Sequence, residues 1–416
     1  MPAQLQFGPN QLYSEDLVDA FGRARVSNPV SVGNGFFQYG INPLEFVIFT
    51  SGGGQVFKMP SESSVALEVT GVPSGSPAAG DIALVQSRVY FRYQPGKSQL
   101  VMMTGVLGLP TPSATQEIGY YDNNDGVFFR QTETGLNVVI RSSTSGSPVD
   151  TVIPQANWNA DKMDGTGPSA IVLDFSKFQL FVIDLEWLGT GRIRFGFNIL
   201  GRMYFCHEQL EAGTNVSPWA NTACLPCRWR LESPNTIVPP ASMKAGCCSA
   251  SSEGGFEVVP GLHFAASNGV NRIPVSNRRP VLSIEMAPSF NGVINRAQVL
   301  KDNMWVQSDE AIVWELVLNG VLTGAAFVQA NPSSLINYDV SATAISGGSV
   351  LMSGYCVPTK SSSGVLGNFA IQQLLTALPP LSNSYDGTQG DRLSIVATSF
   401  AGTANTAAAI NWNEVR

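Results

Sequence analysis

The 416 residues carry charge on only 13% of positions, against roughly 25% in ordinary globular chains, and include 41 glycines and 26 prolines. That composition points to strands and tight turns rather than long helices, and the length allows two or three domains whose cores need no disulfide or metal. The net charge of -7, with no basic run longer than Arg278-Arg279, excludes the clustered cations of a duplex-binding surface or an anionic-membrane patch, so no direct contact with nucleic acid is expected.

The opening MPAQLQFGPNQLYSEDL lacks a basic start followed by an apolar core. No window approaches the ~18 apolar residues of a membrane span, so neither a signal peptide nor membrane insertion is expected. Six cysteines, at 206, 224, 227, 247, 248 and 356, suit a reducing compartment better than a disulfide scaffold. Low charge leaves surface that can meet a partner with little desolvation penalty, which favours an assembled subunit.

In chain order, residues 1–35 read as an N-terminal arm. SEDL can cap a short helix near Ser14, with Leu17, Val18 and Phe21 at helical spacing, and Asn28-Pro29 ends it. Residues 36–115 form a first β region, where FVIFT, SSVALEVTG, DIALVQSRVYFRYQ and SQLVMMTGVLG are strand-length runs separated by glycine-rich turns. Residues 116–245 read as a central β-sandwich module with strands VFFRQ, LNVVIRS, AIVLDF, FQLFVIDLEWL, RIRFGFNI and RMYFCHEQL. PNTIVPPASMKAGCCSASSEGG reads as a turn-rich boundary. Residues 250–416 form a C-terminal β region, with one late helix over about Asn368 to Ala377. No period of 20 to 50 residues repeats, which argues against a propeller or solenoid. The expected class is mainly β: two or more antiparallel β-sandwich or jelly-roll-like domains, with a short N-terminal helix and a late helix in the C-terminal region.

The charges in FQLFVIDLEWLGTGRIRFGFNI are read by register. A three-residue hairpin loop at Gly189-Thr190-Gly191 sets Glu186 opposite Arg194, Asp184 opposite Gly196 and Leu188 opposite Arg192. The other face then gathers Phe181, Ile183, Leu185 and Trp187 with Ile193, Phe195, Phe197 and Ile199. Glu186 and Arg194 are expected to form a cross-strand ion pair, worth roughly 0.2 to 1 kcal/mol if exposed, with Trp187 in the core.

Several groups are weighed for chemistry. Cys206-His207 with Cys224 and Cys227 has partial zinc spacing, but no second tight pair accompanies it, and whether it holds a metal stays open. DNNDG at 122–126 reads as a tight turn with oxygen ligands to spare for a cation. PGKS at 95–98 lacks the first glycine of a phosphate loop, and no GxSxG elbow is present. No cofactor and no catalytic residue is expected. Asp161, Asp164 and Asp174 are the carboxylates a polysaccharide-cleaving enzyme would draw on, and Tyr120, Tyr121, Trp158 and Trp219 are read as aromatics of a protein interface or, second, of a sugar site.

One combination resembles a known family. IGYYDNNDGVFFR, IPQANWNADKMDGTGPSAIVLDFSK and FVIDLEWLGTGRIRFGFNILGRMYFCHEQ, within residues 117–230, are similar to a module of virion structural proteins from tailed bacteriophages and large DNA viruses. Trp158, Asp184, Trp187 and the Arg192 to Gly196 stretch carry the likeness. The resemblance implies a non-enzymatic capsid-surface, vertex or tail-associated protein, made in the host cytoplasm and located in the virion. Its implied partners are copies of itself, with a trimer favoured, and other virion proteins. A receptor- or carbohydrate-binding appendage that meets a host surface glycan is the alternative.

Overall fold

Strand-length runs rich in Val, Ile, Phe and Leu, broken by glycine turns, form the sheets, and in the structure, a computed structural model, every strand pairing among the described residues is antiparallel. The structure describes residues 20, 28–69, 80–233, 240–255, 261–358 and 378–416. The helices expected near Ser14 and over 368–377 lie outside the described residues. Among those described, the only helical segments are single 3-10 turns at Pro60–Glu62 and Gln155–Asn157. The chain divides into two units, Met1–Val258 and Val259–Arg416.

The described residues of the first unit contain fifteen strands. In chain order they are β1 (Val30–Gly35), β2 (Phe46–Ser51), β3 (Gly54–Met59), β4 (Ser64–Val69), β5 (Asp81–Ser87), β6 (Ser98–Val106), β7 (Thr115–Tyr121) and β8 (Gly126–Thr132). There follow β9 (Gly135–Ser142), β10 (Val149–Pro154), β11 (Gln179–Leu185), β12 (Ile193–Ile199), β13 (Arg202–Gln209), β14 (Cys227–Ser233) and β15 (Ala241–Glu253). One sheet has seven strands in the order β10-β9-β8-β7-β14-β5-β2. The other has eight, in the order β13-β12-β11-β6-β15-β4-β3 with β1 also paired to β15. Strands from 36–115 and from 116–245 therefore interleave in the same two sheets.

The inner faces meet in one core. Phe129 of β8 packs against Phe181, Phe195 and Phe197 of the facing sheet, with ring centroids 5.2, 5.5 and 5.1 Å away. Trp229, Ile118, Val138 and Leu185 are fully buried beside them. Each such side chain contributes about 1.5 to 3 kcal/mol on leaving water, and each aromatic pair roughly 0.5 to 1.5 kcal/mol more.

Two segments depart from expectation. The supposed boundary at 241–253 is β15, a strand interior to the larger sheet, hydrogen-bonded to β6 and β4. Its register with β6 slips between Ala245 and Cys248, so that Cys247 points outward while Cys248 turns into the core. AIVLDF, expected as a strand, forms only a single bridge between Val172 and Asp164. There the carboxylate of buried Asp161 accepts from Met163 N (2.9 Å) and Ser169 N (2.8 Å), folding the loop on itself.

In the second unit, Ala404–Val415 is the hub of one sheet, pairing Gln298–Ser308, Leu262–Ser267 and Ile273–Val275. Another sheet runs Val328–Gln329, Ile336–Asp339, Arg279–Met286, Arg392–Ser399, Ile312–Leu318, Ser349–Cys356. Glu414 is buried in this unit and accepts from Ser334 Oγ (2.6 Å), Leu335 N (3.0 Å) and Trp412 Nε1 (3.0 Å).

Candidate functional site

The β11–β12 hairpin keeps the expected faces with a different register. Asp184 stands opposite Arg194, and Leu185, Ile183 and Phe181 stand opposite Ile193, Phe195 and Phe197. The connection is longer than three residues: Gly191 N donates to Trp187 O (2.8 Å) and Glu186 N to Arg192 O (3.0 Å). The ion pair is therefore Asp184–Arg194, not Glu186–Arg194, and it is buried rather than exposed, with the Arg194 guanidinium 4.2 Å from the Phe205 ring centre. Glu186 instead accepts from Arg192 N (3.0 Å), and Arg192 reaches Glu208 (2.8 Å) and Ala20 O (2.8 Å). Trp187 is partly buried against the core, donating Nε1 to Ala220 O (3.2 Å) with its ring edge-on to Tyr93.

The other aromatics singled out in sequence lie inside the protein. Trp158 and Trp219 are buried, and Tyr120 is wholly buried on the inner face of β7, its hydroxyl 2.9 Å from both Phe91 O and Ala223 O. Asp164 and Asp174 bind their own turns through Thr166 and Ser176. Asp122 and Asp125 likewise accept backbone and hydroxyl donors within and beside DNNDG. Cys206 and Cys227 are buried thiols that burial pushes to high pKa, whereas Cys224 accepts from Tyr93 N. Among the described residues no three His, Cys, Asp or Glu side chains gather as a metal site.

Tyr121 belongs to a different constellation. On the outer face of the seven-stranded sheet, alternation brings Glu117 and Tyr121 of β7, Phe128 and Arg130 of β8, Arg141 of β9, Asp150 of β10, and Arg228, Arg230 and Glu232 of β14 to one surface. Tyr121 and Phe128 stack with centroids 4.0 Å apart, and three guanidiniums cover them: Arg130 and Arg141 at 5.1 Å from the Phe128 ring, Arg228 at 5.1 Å from Tyr121. Two glycines make room for the rings. A Cβ on Gly119 would lie 2.4 Å from Phe128 Cβ, and one on Gly126, whose φ is +141°, would lie 2.2 Å from Tyr121 Cβ.

Above this floor lies a groove of about 700 Å3. Its walls include Glu117, Arg130, Arg141, Asp150, Arg230 and Glu232, with Thr115, Thr132 and Asn123 beside them. Arg130 bridges both central acids, Nε to Glu117 (2.7 Å) and Nη2 to Asp150 (2.6 Å). Arg141 grips Asp150 with Nε (2.7 Å) and Nη2 (2.9 Å). Arg230 reaches Glu117 (3.3 Å) and also pairs with Glu232, while Tyr121 donates its hydroxyl to Glu117 (2.9 Å). Burial works to raise the pKa of Glu117, but the charges of Arg230, Arg130 and Arg141 outweigh it and hold the group at about 2. Asp150 is likewise lowered: burial opposes ionisation, and the hydrogen bonds and charges of Arg141 and Arg130 overcome it. The sequence reading missed these residues. Their signal was charge at every second place, as in Arg228-Trp229-Arg230-Leu231-Glu232, recurring in strands that the fold sets side by side.

No family model matches the chain, and no curated protein matches it. Among solved structures it is similar to a glycosyl hydrolase family 16 protein from Mycobacterium smegmatis, at 10% identity over 53% of this chain and 99% of that one, with a TM-score of 0.35. A structure from work on endo-acting O-glycanases of the human gut microbiota matches at 10% identity over 53% and 99%, with a TM-score of 0.39. A legume lectin-like domain from Entamoeba histolytica matches at 9% identity over 56% and 100%, with a TM-score of 0.29. The expected resemblance to virion modules is corrected here: the solved structures matched include glycosyl hydrolases, a glucanase and a lectin-like domain. With it go the virion structural role, the non-enzymatic reading, the trimer and virion-protein partners, and a place in a particle made in a host cytoplasm. The activities named there belong to those proteins, and none of their site residues is carried to this chain.

Proposed function

We propose that the protein binds carbohydrate in the arginine-walled groove on the outer face of the seven-stranded sheet. The observation that carries this reading is the interleaving of guanidinium donors and carboxylate acceptors, each fixed by ion pairs, along a groove of about 700 Å3. A sugar hydroxyl both donates and accepts, so neighbouring hydroxyls can be satisfied together by a carboxylate oxygen and an adjacent N–H. Ion pairs that already hold those groups reduce the ordering cost of binding. The rings beneath are fully covered, so the ligand meets guanidinium planes rather than aromatic faces.

Within this groove Asp150, with its side chain 22% exposed, acts as an acceptor, while Glu117, which has no exposed side-chain surface, holds Arg130 and Arg230 in place. Both are held ionised below the ordinary carboxylate range by the arginines around them. The test is a glycan array probed with the full chain, followed by calorimetric titration and a reducing-end assay on any glycan bound. Binding to a defined glycan class, weakened about tenfold or more by Arg141→Ala in a folded variant, is the expected result. Absence of binding across the array at millimolar ligand would sink the reading.

A further inference from the structure

The formal charges that wall the groove cancel. Arg130, Arg141 and Arg230 face Glu117, Asp150 and Glu232, and every guanidinium is paired within the set. Arg228, over Tyr121 on the same face, is fully buried and hydrogen-bonded to Gln86 and Asn123 rather than to an acid of the groove, so along the groove's described walls an anionic ligand meets no uncommitted positive charge. To gain an arginine it must displace a carboxylate that stays behind in the same groove, in a protein whose net charge is already -7. A neutral ligand meets no such conflict. Asp150 is the most accessible acceptor of the two central acids, its side chain 22% exposed against 0% for Glu117. Among the described residues its Oδ1 accepts a bond only from Arg141 Nε, and its Oδ2 accepts from both Arg130 and Arg141. A carboxylate oxygen has two lone pairs, so Oδ1 keeps one directed acceptor position.

We infer that the groove selects uncharged, hydroxyl-rich saccharides against acidic ones, and that Asp150 Oδ1 accepts a hydroxyl of the bound sugar. This rests on the carbohydrate-binding reading above and specifies its ligand class. Arg130 and Arg141 act as positioning residues for Asp150: together they hold its carboxylate ionised and fix the direction of the remaining lone pair.

The experiment titrates the full chain calorimetrically with neutral oligosaccharides and with matched uronate and sulfated forms of the same backbones, at low and high salt. A neutral saccharide should bind with an affinity that changes less than about twofold with salt, because no net charge is neutralised. Its uronate or sulfated counterpart should bind about tenfold or more weakly. Asp150→Asn should weaken the neutral sugar about tenfold and narrow the gap to the uronate, since an amide no longer repels the added charge. Preferential, salt-sensitive binding of the acidic forms would overturn the inference and leave carbohydrate binding standing. Failure of every saccharide, neutral and acidic, would overturn both. The comparison of charged and neutral ligands on the unmodified chain decides the matter even if Asp150→Asn does not fold.

Discussion

At the scale of single residues, Glu117 is the group on which most depends. It is fully buried, accepts from two arginines and a tyrosine, and keeps its charge because Arg230, Arg130 and Arg141 outweigh the cost of burial. A carboxyl lowered from 4.5 to about 2 contributes stability that is fully present above its unfolded value and is lost as pH falls through the folded one. The size is about 3 kcal/mol, and denaturant unfolding between pH 5 and about 2 should record its loss. Glu117→Gln should cost about 3 to 5 kcal/mol at neutral pH, because it leaves arginines facing a neutral group, and its acid decline should be shallower than that of the unmodified chain. Asp184→Asn should be destabilising on the same scale, since Arg194 would remain buried beneath Phe205 with its partner carboxylate gone.

At the scale of elements, β7 and β8 work as a pair because two glycines lie beneath two rings. Gly119→Ala would drive a methyl into Phe128 and the β8 backbone, so a loss of about 1 to 3 kcal/mol is expected in thermal unfolding, together with weaker saccharide binding as the ring and the arginines above it shift. Period-two alternation was legible wherever side chains were large, which is why the faces of β11 and β12 could be read from sequence. The register of that hairpin could not. Leu188 and Gly189 both take positive φ, and Trp219 N, about thirty positions along the chain, bonds Gly189 O (2.9 Å), so a distant contact sets the loop length. β15 was hidden for another reason. Its inward residues Ala245, Cys248 and Ala250 are small, the alanines being poor strand formers, and it is a strand because its neighbours on both sides supply hydrogen-bond partners. The groove was illegible for the same kind of reason: its charges lie on β7, β8, β9, β10 and β14, and only the strand order makes them neighbours.

At the scale of the whole molecule, the two units have separate sheets, and the groove belongs entirely to the first. Calorimetric unfolding of Glu117→Gln should therefore lower the transition that belongs to residues 1–258 and leave that of 259–416 in place; a common downward shift would show that the units melt as one. A saccharide at one hundred times its dissociation constant should raise the stability of that same first transition by about 2.7 kcal/mol. The irregularity in β15 adds a clock. Cys247 is exposed, whereas its neighbour Cys248 and the facing Cys227 are sealed between the sheets. A thiol reagent will modify the first at the rate of an open surface and reach the other two only when the sheets part, so the lag between them times how often the sandwich breathes.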